Sequence, residues 1–260
     1  MFPKSATLLA PMAVMAAALA LAGCGRTPPR RTDAPSSAAG SDYAAPPSVD
    51  LVRNEAAGPR LSGTAPPGVQ VRLGSPAGVA VSAWSDTAGH WTLRLAPAAG
   101  PRIFGLSETL GGRQAQAQGY VLLTPQGPAA LLRAGAGAIR LDPRRGPGLG
   151  AIDFDAEGGA VVSGVAPADT PVFVRLDGRQ AAQARADGQG RYAIALSQPI
   201  PGGTHTVEVN GDNFEAAAKV AVTPAEPLVA GPLRSQFTKG GLRIDWRTPG
   251  GGVQSTLLLD

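Results

Sequence analysis

The sequence predicts an all-β protein made of two antiparallel sandwiches in tandem, and three observations lead there. LSGTAPPGVQVRLGSPAGVAVSAWSDTAGHWTLRL, from Leu61 to Leu95, has a second version in VVSGVAPADTPVFVRLDGRQAAQARADGQGRYAIAL, from Val161 to Leu196. Within each version apolar and polar residues alternate, as in Val69, Val71 and Leu73 around Gln70 and Arg72; period two marks strands with one buried face. Short strand candidates then recur between Gly- and Pro-rich turns through both halves, the spacing of an antiparallel sandwich.

The repeat extends beyond these stretches. Ser62-Gly63, Ala65-Pro66, Asp86, Gly89 and Trp91 answer Ser163-Gly164, Ala166-Pro167, Asp187, Gly190 and Tyr192. Gly119 to Pro125 aligns with Ala218 to Pro224, and Ile139 to Asp142 with Leu242 to Asp245. The unit is about a hundred residues, the size of one small domain, so the period means tandem domains and not a solenoid. In each copy an Asp that bonds the backbone ahead of it precedes a Gly able to take positive φ, which suits a tight turn. The aromatic just after it, Trp91 or Tyr192, then points inward as a core plug.

In chain order, residues 1–23 read as a targeting segment and stand outside fold reasoning. Lys4 precedes the apolar run ATLLAPMAVMAAALAL, which ends in small residues at Leu21-Ala22-Gly23-Cys24. Residues 24–48 are rich in Pro, Ser and Ala with almost nothing to bury, and read as a disordered tether. Flexible-chain scaling gives it a reach of roughly 25 to 30 Å. The first β domain is expected over residues 49–148, with an extra hairpin near Pro128 to Leu141 in which Ala129 to Arg133 has a helical turn as its alternative. The second is expected over residues 149–260. It closes on a hairpin in which Leu242, Ile244 and Trp246 share one face, and Leu257 to Leu259 pairs inside the domain, with strand addition to a partner as the alternative.

Two resemblances carry implications. Leu21-Ala22-Gly23-Cys24 resembles the lipobox of bacterial lipoproteins. That implies Cys24 as the mature N-terminus, bearing a thioether-linked diacylglycerol and an N-acyl chain and no other cofactor. Several acyl chains anchor far more firmly than one. Gly25, in place of the Asp that resembles an inner-membrane retention signal, favours the outer membrane. The tandem units themselves, with SGxAxPGxxVxL followed by DxxGxW, are similar to bacterial immunoglobulin-like modules. This implies two tandem Ig-like sandwiches and leaves function open, since that family includes adhesins, spacers and accessory domains.

Composition narrows the remainder. Cys24 is the single cysteine, which excludes an intrachain disulfide and a cysteine metal site. The net charge of +4 comes from arginines spread along the chain, with no basic stretch interleaved with aromatics, so nucleic acid is not an expected partner. His90 and His205 fall in different copies, neither has a histidine counterpart in the other, and no GxSxG-like turn accompanies them. Asp153, Asp155 and Glu157 would lie on one face of a strand, either solvated or offering oxygens to a calcium ion between domains. Trp84 and Trp246 are the candidates for stacking on a glycan. These observations predict a non-enzymatic, lipid-anchored envelope protein, an Ig-like spacer or interaction module with a protein or glycan partner. A peptidoglycan- or other glycan-binding lipoprotein is the alternative, and an enzyme with an unrecognised site the third reading.

Overall fold

The computed structural model describes residues 45–260 apart from Gln126, Arg144, Arg145 and Asp260. Cys24, the targeting segment and most of the tether lie outside the described residues. The folded chain takes in Pro47 and Ser48, which the sequence reading places in the tether. Pro47 is buried, and the Ser48 amide donates to the Thr64 carbonyl at 2.8 Å.

The first copy supplies β1 (Leu51–Glu55), β2 (Gly58–Thr64), β3 (Gln70–Gly74), β4 (Ala80–Trp84), β5 (His90–Arg94), β6 (Arg102–Leu110), β7 (Arg113–Leu123), β8 (Ala129–Leu132) and β9 (Ile139–Arg140). The second supplies β10 (Gly148–Phe154), β11 (Ala160–Val165), β12 (Pro171–Leu176), β13 (Arg179–Arg185), β14 (Arg191–Ala195), β15 (Gly203–Gly211), β16 (Phe214–Val222), β17 (Leu233–Thr238), β18 (Gly241–Arg247) and β19 (Val253–Leu258). Every paired neighbour runs antiparallel. Sheet A has the order β1-β2-β5, sheet B β4-β3-β6-β7-β8-β9, sheet C β14-β11-β10-β19-β18-β17 and sheet D β13-β12-β15-β16. Ala129 to Leu132 is thus a strand, not a helical turn.

The repeated motifs have a shared physical cause. Gly63 pairs with Trp91 across β2 and β5, and Gly164 with Tyr192 across β11 and β14. A Cβ on Gly63 would lie 2.0 Å from the Ser48 carbonyl oxygen and 2.8 Å from the Trp91 ring; one on Gly164 would lie 2.2 Å from the Gly148 carbonyl oxygen and 2.5 Å from the Tyr192 hydroxyl. Each glycine therefore clears the space its aromatic partner fills. Trp91 Nε1 then donates to the Ser48 carbonyl at 3.0 Å, and the Tyr192 hydroxyl to the Gly148 carbonyl at 3.0 Å. The plug is apolar in body and satisfied at its polar end, as a buried Trp or Tyr requires.

Sheets A and B close on a core that includes Leu61, Val71, Leu73, Trp91 and Leu106. Sheets C and D close on another, with Ile152, Val172, Val174, Tyr192 and Val207. A third core joins the two sandwiches. Ile103, Leu122, Ala130, Leu132 and Ala138 come to it from the first copy, and Ala151, Leu242, Ile244, Trp246 and Leu258 from the second. Strand alternation makes this geometry: Val121 and Leu123 face sheet A's core while Leu122 faces outward, and Leu257 faces sheet D while Leu258 faces the other way. Where β6, β7 and β8 of sheet B meet β10, β18 and β19 of sheet C, these strands are covered on both faces, and the described residues form one compact unit. Each fully buried Leu or Ile in such a core contributes about 1.5–3 kcal/mol.

The repeat breaks at its ends. Ile139 to Asp142, aligned in sequence with Leu242 to Asp245, contributes β9 to the edge of sheet B, whereas its counterpart contributes β18 to the interior of sheet C. Both keep an Arg-x-Asp ion pair, Arg140 with Asp142 at 2.7 Å and Arg243 with Asp245 at 2.8 Å. Leu257 and Leu258 pair on both sides, with β10 and β18, so the closing strand is internal to the fold.

Candidate functional site

The three carboxylates singled out in sequence do not converge. β10 ends at Phe154, so Asp153 to Glu157 is not one strand face. Asp155 begins a turn: its Oδ1 accepts from the amides of Glu157 at 3.1 Å and Gly159 at 2.8 Å, and Gly158 has φ +83°. This repeats the geometry of Asp86 with Gly89 and Asp187 with Gly190, whose carboxylates also accept two amides each. The spacing Asp155-x-x-Gly158 was therefore a turn signal in the sequence that the carboxylate pattern obscured. Glu157 is exposed, and no group of metal-holding residues occurs among the described residues.

Asp153 points the other way, into the junction of the sandwiches, and is 2% exposed. It accepts hydrogen bonds from the Thr256 hydroxyl, from Gln254 Nε2 at 3.0 Å and from the Ala138 amide at 2.7 Å. Gln254 Oε1 accepts from the Gly135 amide at 2.9 Å, and the Ser163 hydroxyl donates to the Ala138 carbonyl at 2.7 Å. A buried polar network thus ties the loop after β8 to β10, β11 and β19. Burial pushes the Asp153 carboxyl from its ordinary 3.8 up to about 6, against the opposing pull of its three donors and of Arg133.

A cleft of roughly 700 Å³ opens beside this junction, with Arg133, Arg140, Arg185 and Arg191 in its walls. These cations are engaged. Arg140 pairs with Asp142 and donates to the Leu259 carbonyl at 2.5 Å. Arg191 pairs with Asp187 at 3.2 Å, and Arg133 donates to the carbonyls of Gly137 and Ala136, each at 2.8 Å. Of these contacts, the one from Arg140 to the Leu259 carbonyl crosses from one sandwich to the other. Burial holds Arg133 below the usual guanidinium range, and the nearby Arg191 adds to that.

The histidines have structural partners. His205 faces the Asp177 carboxylate at 2.7 Å and the Pro201 carbonyl at 3.0 Å, clamping the β12–β13 turn to the start of β15. His90 is exposed, 3.9 Å from Asp86 within its own turn. The two lie in different sandwiches and build no shared site.

The tryptophans separate cleanly. Trp246 is 0% exposed. It packs edge-on to Tyr120 at 6.1 Å and donates to Thr256 Oγ1 at 3.1 Å, so its expected role as a stacking platform is overturned: sheet B covers it. Trp84 is 67% exposed, at the end of edge strand β4. It opposes Gln70, and Val71 and Ala83, the neighbours of this pair, point into the first core. Trp84 therefore stands on the opposite face of sheet B, next to exposed Gln70, Thr109 and Gln114. Sequence reading missed these three. Alternation placed Gln70 on an outer face, but bringing β3, β4, β6 and β7 into register needs the folded sheet.

No protein-family model matches the chain, and no curated protein sequence does. Among solved structures, a central fibronectin-III array of a RIM-binding protein aligns at 15% identity and TM-score 0.26, over 79% of this chain and 72% of that one. The BSP domain of a biofilm-associated protein aligns at 14% identity and TM-score 0.24, over 70% of this chain and 30% of its own length. Neither likeness is close enough to carry over an activity or a partner.

Proposed function

We propose that this protein is a non-enzymatic, lipid-anchored component of a bacterial cell envelope, a rigid double sandwich that presents a binding surface at the end of a tether. The observation that carries the reading is the third core: it fixes the two sandwiches to each other, so an open sheet face is held in one orientation. Asp153, Asp155, His90 and His205 are held in a buried hydrogen-bond network, in turns or beside a carboxylate, and Glu157 is solvated, which agrees with a binding task. The LAGC sequence ending in the chain's single cysteine supports acylation at Cys24, and Gly25 supports delivery to the outer membrane.

The anchor is tested by lipid labelling and membrane fractionation of the wild type and Cys24→Ala. The expected result is loss of label and of outer-membrane retention in the variant. Equal labelling and retention in the two would remove the lipoprotein reading and the tether with it.

A further inference from the structure

We infer that the open face of sheet B is a glycan-binding platform, on which a neutral, hydroxyl-rich polysaccharide chain lies across the strands. This rests on the reading of the protein as an interaction module and names the partner class of its exposed face. Register builds the platform. Trp84 opposes Gln70, Gln70 opposes Thr109, and Thr109 opposes Gln114, so an indole, two amides and a hydroxyl form one row over four adjacent strands. All four residues are exposed. The row spans three strand spacings, about 14 Å, and its step of about 4.8 Å is close to the rise of one pyranose unit in an extended chain.

A parallel row holds Ser82, Arg72, Ser107 and Gln116. Beyond it lie Gly74 and Gly105, opposed in register. Arg72 Nη1 is 2.9 Å from where a Gly74 Cβ would stand, so the guanidinium lies down along the sheet, leaving the surface low and flat.

The side-chain chemistry selects the occupant. An apolar protein hot spot wants a desolvated pocket with aromatic or aliphatic walls, and this face has one ring on an otherwise polar, flat surface. An indole face packs against the C–H face of a sugar. Glutamine amides donate and accept at once, as do the hydroxyls of Thr109 and Ser82, matching sugar hydroxyls that do the same. The two rows hold a single charged group, Arg72, so an uncharged chain fits better than a strongly anionic one.

The second copy carries a related row. Gln183 opposes Phe173, Phe173 opposes Asn210, and Asn210 opposes Glu215. Ring and amide are exchanged between neighbouring strands, and Phe173 is only half-buried. An aromatic beside amides on the open sheet face is thus a feature of both units, best exposed in the first.

The test is intrinsic fluorescence of the full-length protein in detergent, titrated with β-1,4-linked oligomers of N-acetylglucosamine and of glucose, one to six units long. Trp91 and Trp246 are buried, so a ligand on the platform reports through Trp84. The expected result is a saturable blue shift with at least one oligomer series, with affinity that rises with length and levels off at about three to four units. Trp84→Ala weakens binding by about tenfold or more, while its thermal midpoint stays near wild type because the site is exposed. Gln70→Ala and Gln114→Ala each weaken it by about threefold to tenfold. No binding to either series, or binding that Trp84→Ala leaves unchanged, overturns the platform. A photo-crosslinking residue at Ser82 in living cells then distinguishes the two readings. If no oligomer binds, capture of a protein partner leaves the interaction module standing, and no adduct of any kind removes it too.

Discussion

Trp246→Ala is expected to lower the unfolding free energy by about 3–5 kcal/mol. The side chain is the largest in the third core, and its removal leaves a cavity between two sheets that other cores hold in place, so collapse around it is limited. Tyr120 loses its edge-on partner, and Thr256 loses the indole donor from the hydroxyl that itself donates to Asp153. The variant is also expected to change the shape of unfolding. With the joining core weakened, the A–B and C–D sandwiches each keep their own core and melt in separate steps. Urea unfolding followed by far-ultraviolet circular dichroism reads both effects. A loss below about 1 kcal/mol would place Trp246 outside any tightly packed core.

The second large effect is a dependence on pH that runs against the usual acid sensitivity. Asp153 titrates near 6 in the folded protein against its ordinary 3.8, so the folded state binds this proton more tightly than the unfolded state. Its stabilising contribution is complete below about pH 4 and is lost as pH rises through 6, by about 3 kcal/mol in all. The cause is the cost of burying the ionised carboxylate, which its three hydrogen-bond donors offset only in part. Asp142 and Asp245 are held below the ordinary carboxylate range by their arginine partners. Their contributions run the other way, present above about pH 4 and lost on further acidification. The informative quantity is therefore wild type minus Asp153→Asn, measured by denaturant unfolding from pH 4 to pH 8. That difference is expected to fall by about 2.4 kcal/mol across the window, and a flat difference would mean that Asp153 is ionised at no cost.

Much of this was legible in the residues, for physical reasons that can be named. Period-two alternation and Asp-x-x-Gly turns are local, so the strands around Val71 and Val174 and the aromatic plugs Trp91 and Tyr192 followed directly. Placing Leu257 to Leu259 inside the fold followed from the cost of an exposed apolar edge. The third core depends on which sheet lies over which, and that is not local. Its trace was present: Tyr120-Val121-Leu122-Leu123 and Ala129-Ala130-Leu131-Leu132 are apolar on both faces, as strands covered on both sides are. The tryptophans show the same limit. Trp84 and Trp246 both sit in alternating strands, and only the layering buries one and exposes the other. The acidic run from Asp153 misled because a strand end cannot be read from charge: Asp153 is a buried fastening, Asp155 a turn former and Glu157 a solvated side chain.

The measurement that tests the account most directly is scanning calorimetry of the purified, full-length protein in detergent. If the third core and the Asp153 network join the sandwiches into one body, the protein melts in a single transition with calorimetric and van't Hoff enthalpies in close agreement. Two resolved transitions, each of roughly half the total enthalpy, would contradict the account: the sandwiches would then be independent units, with sheets B and C in no lasting contact.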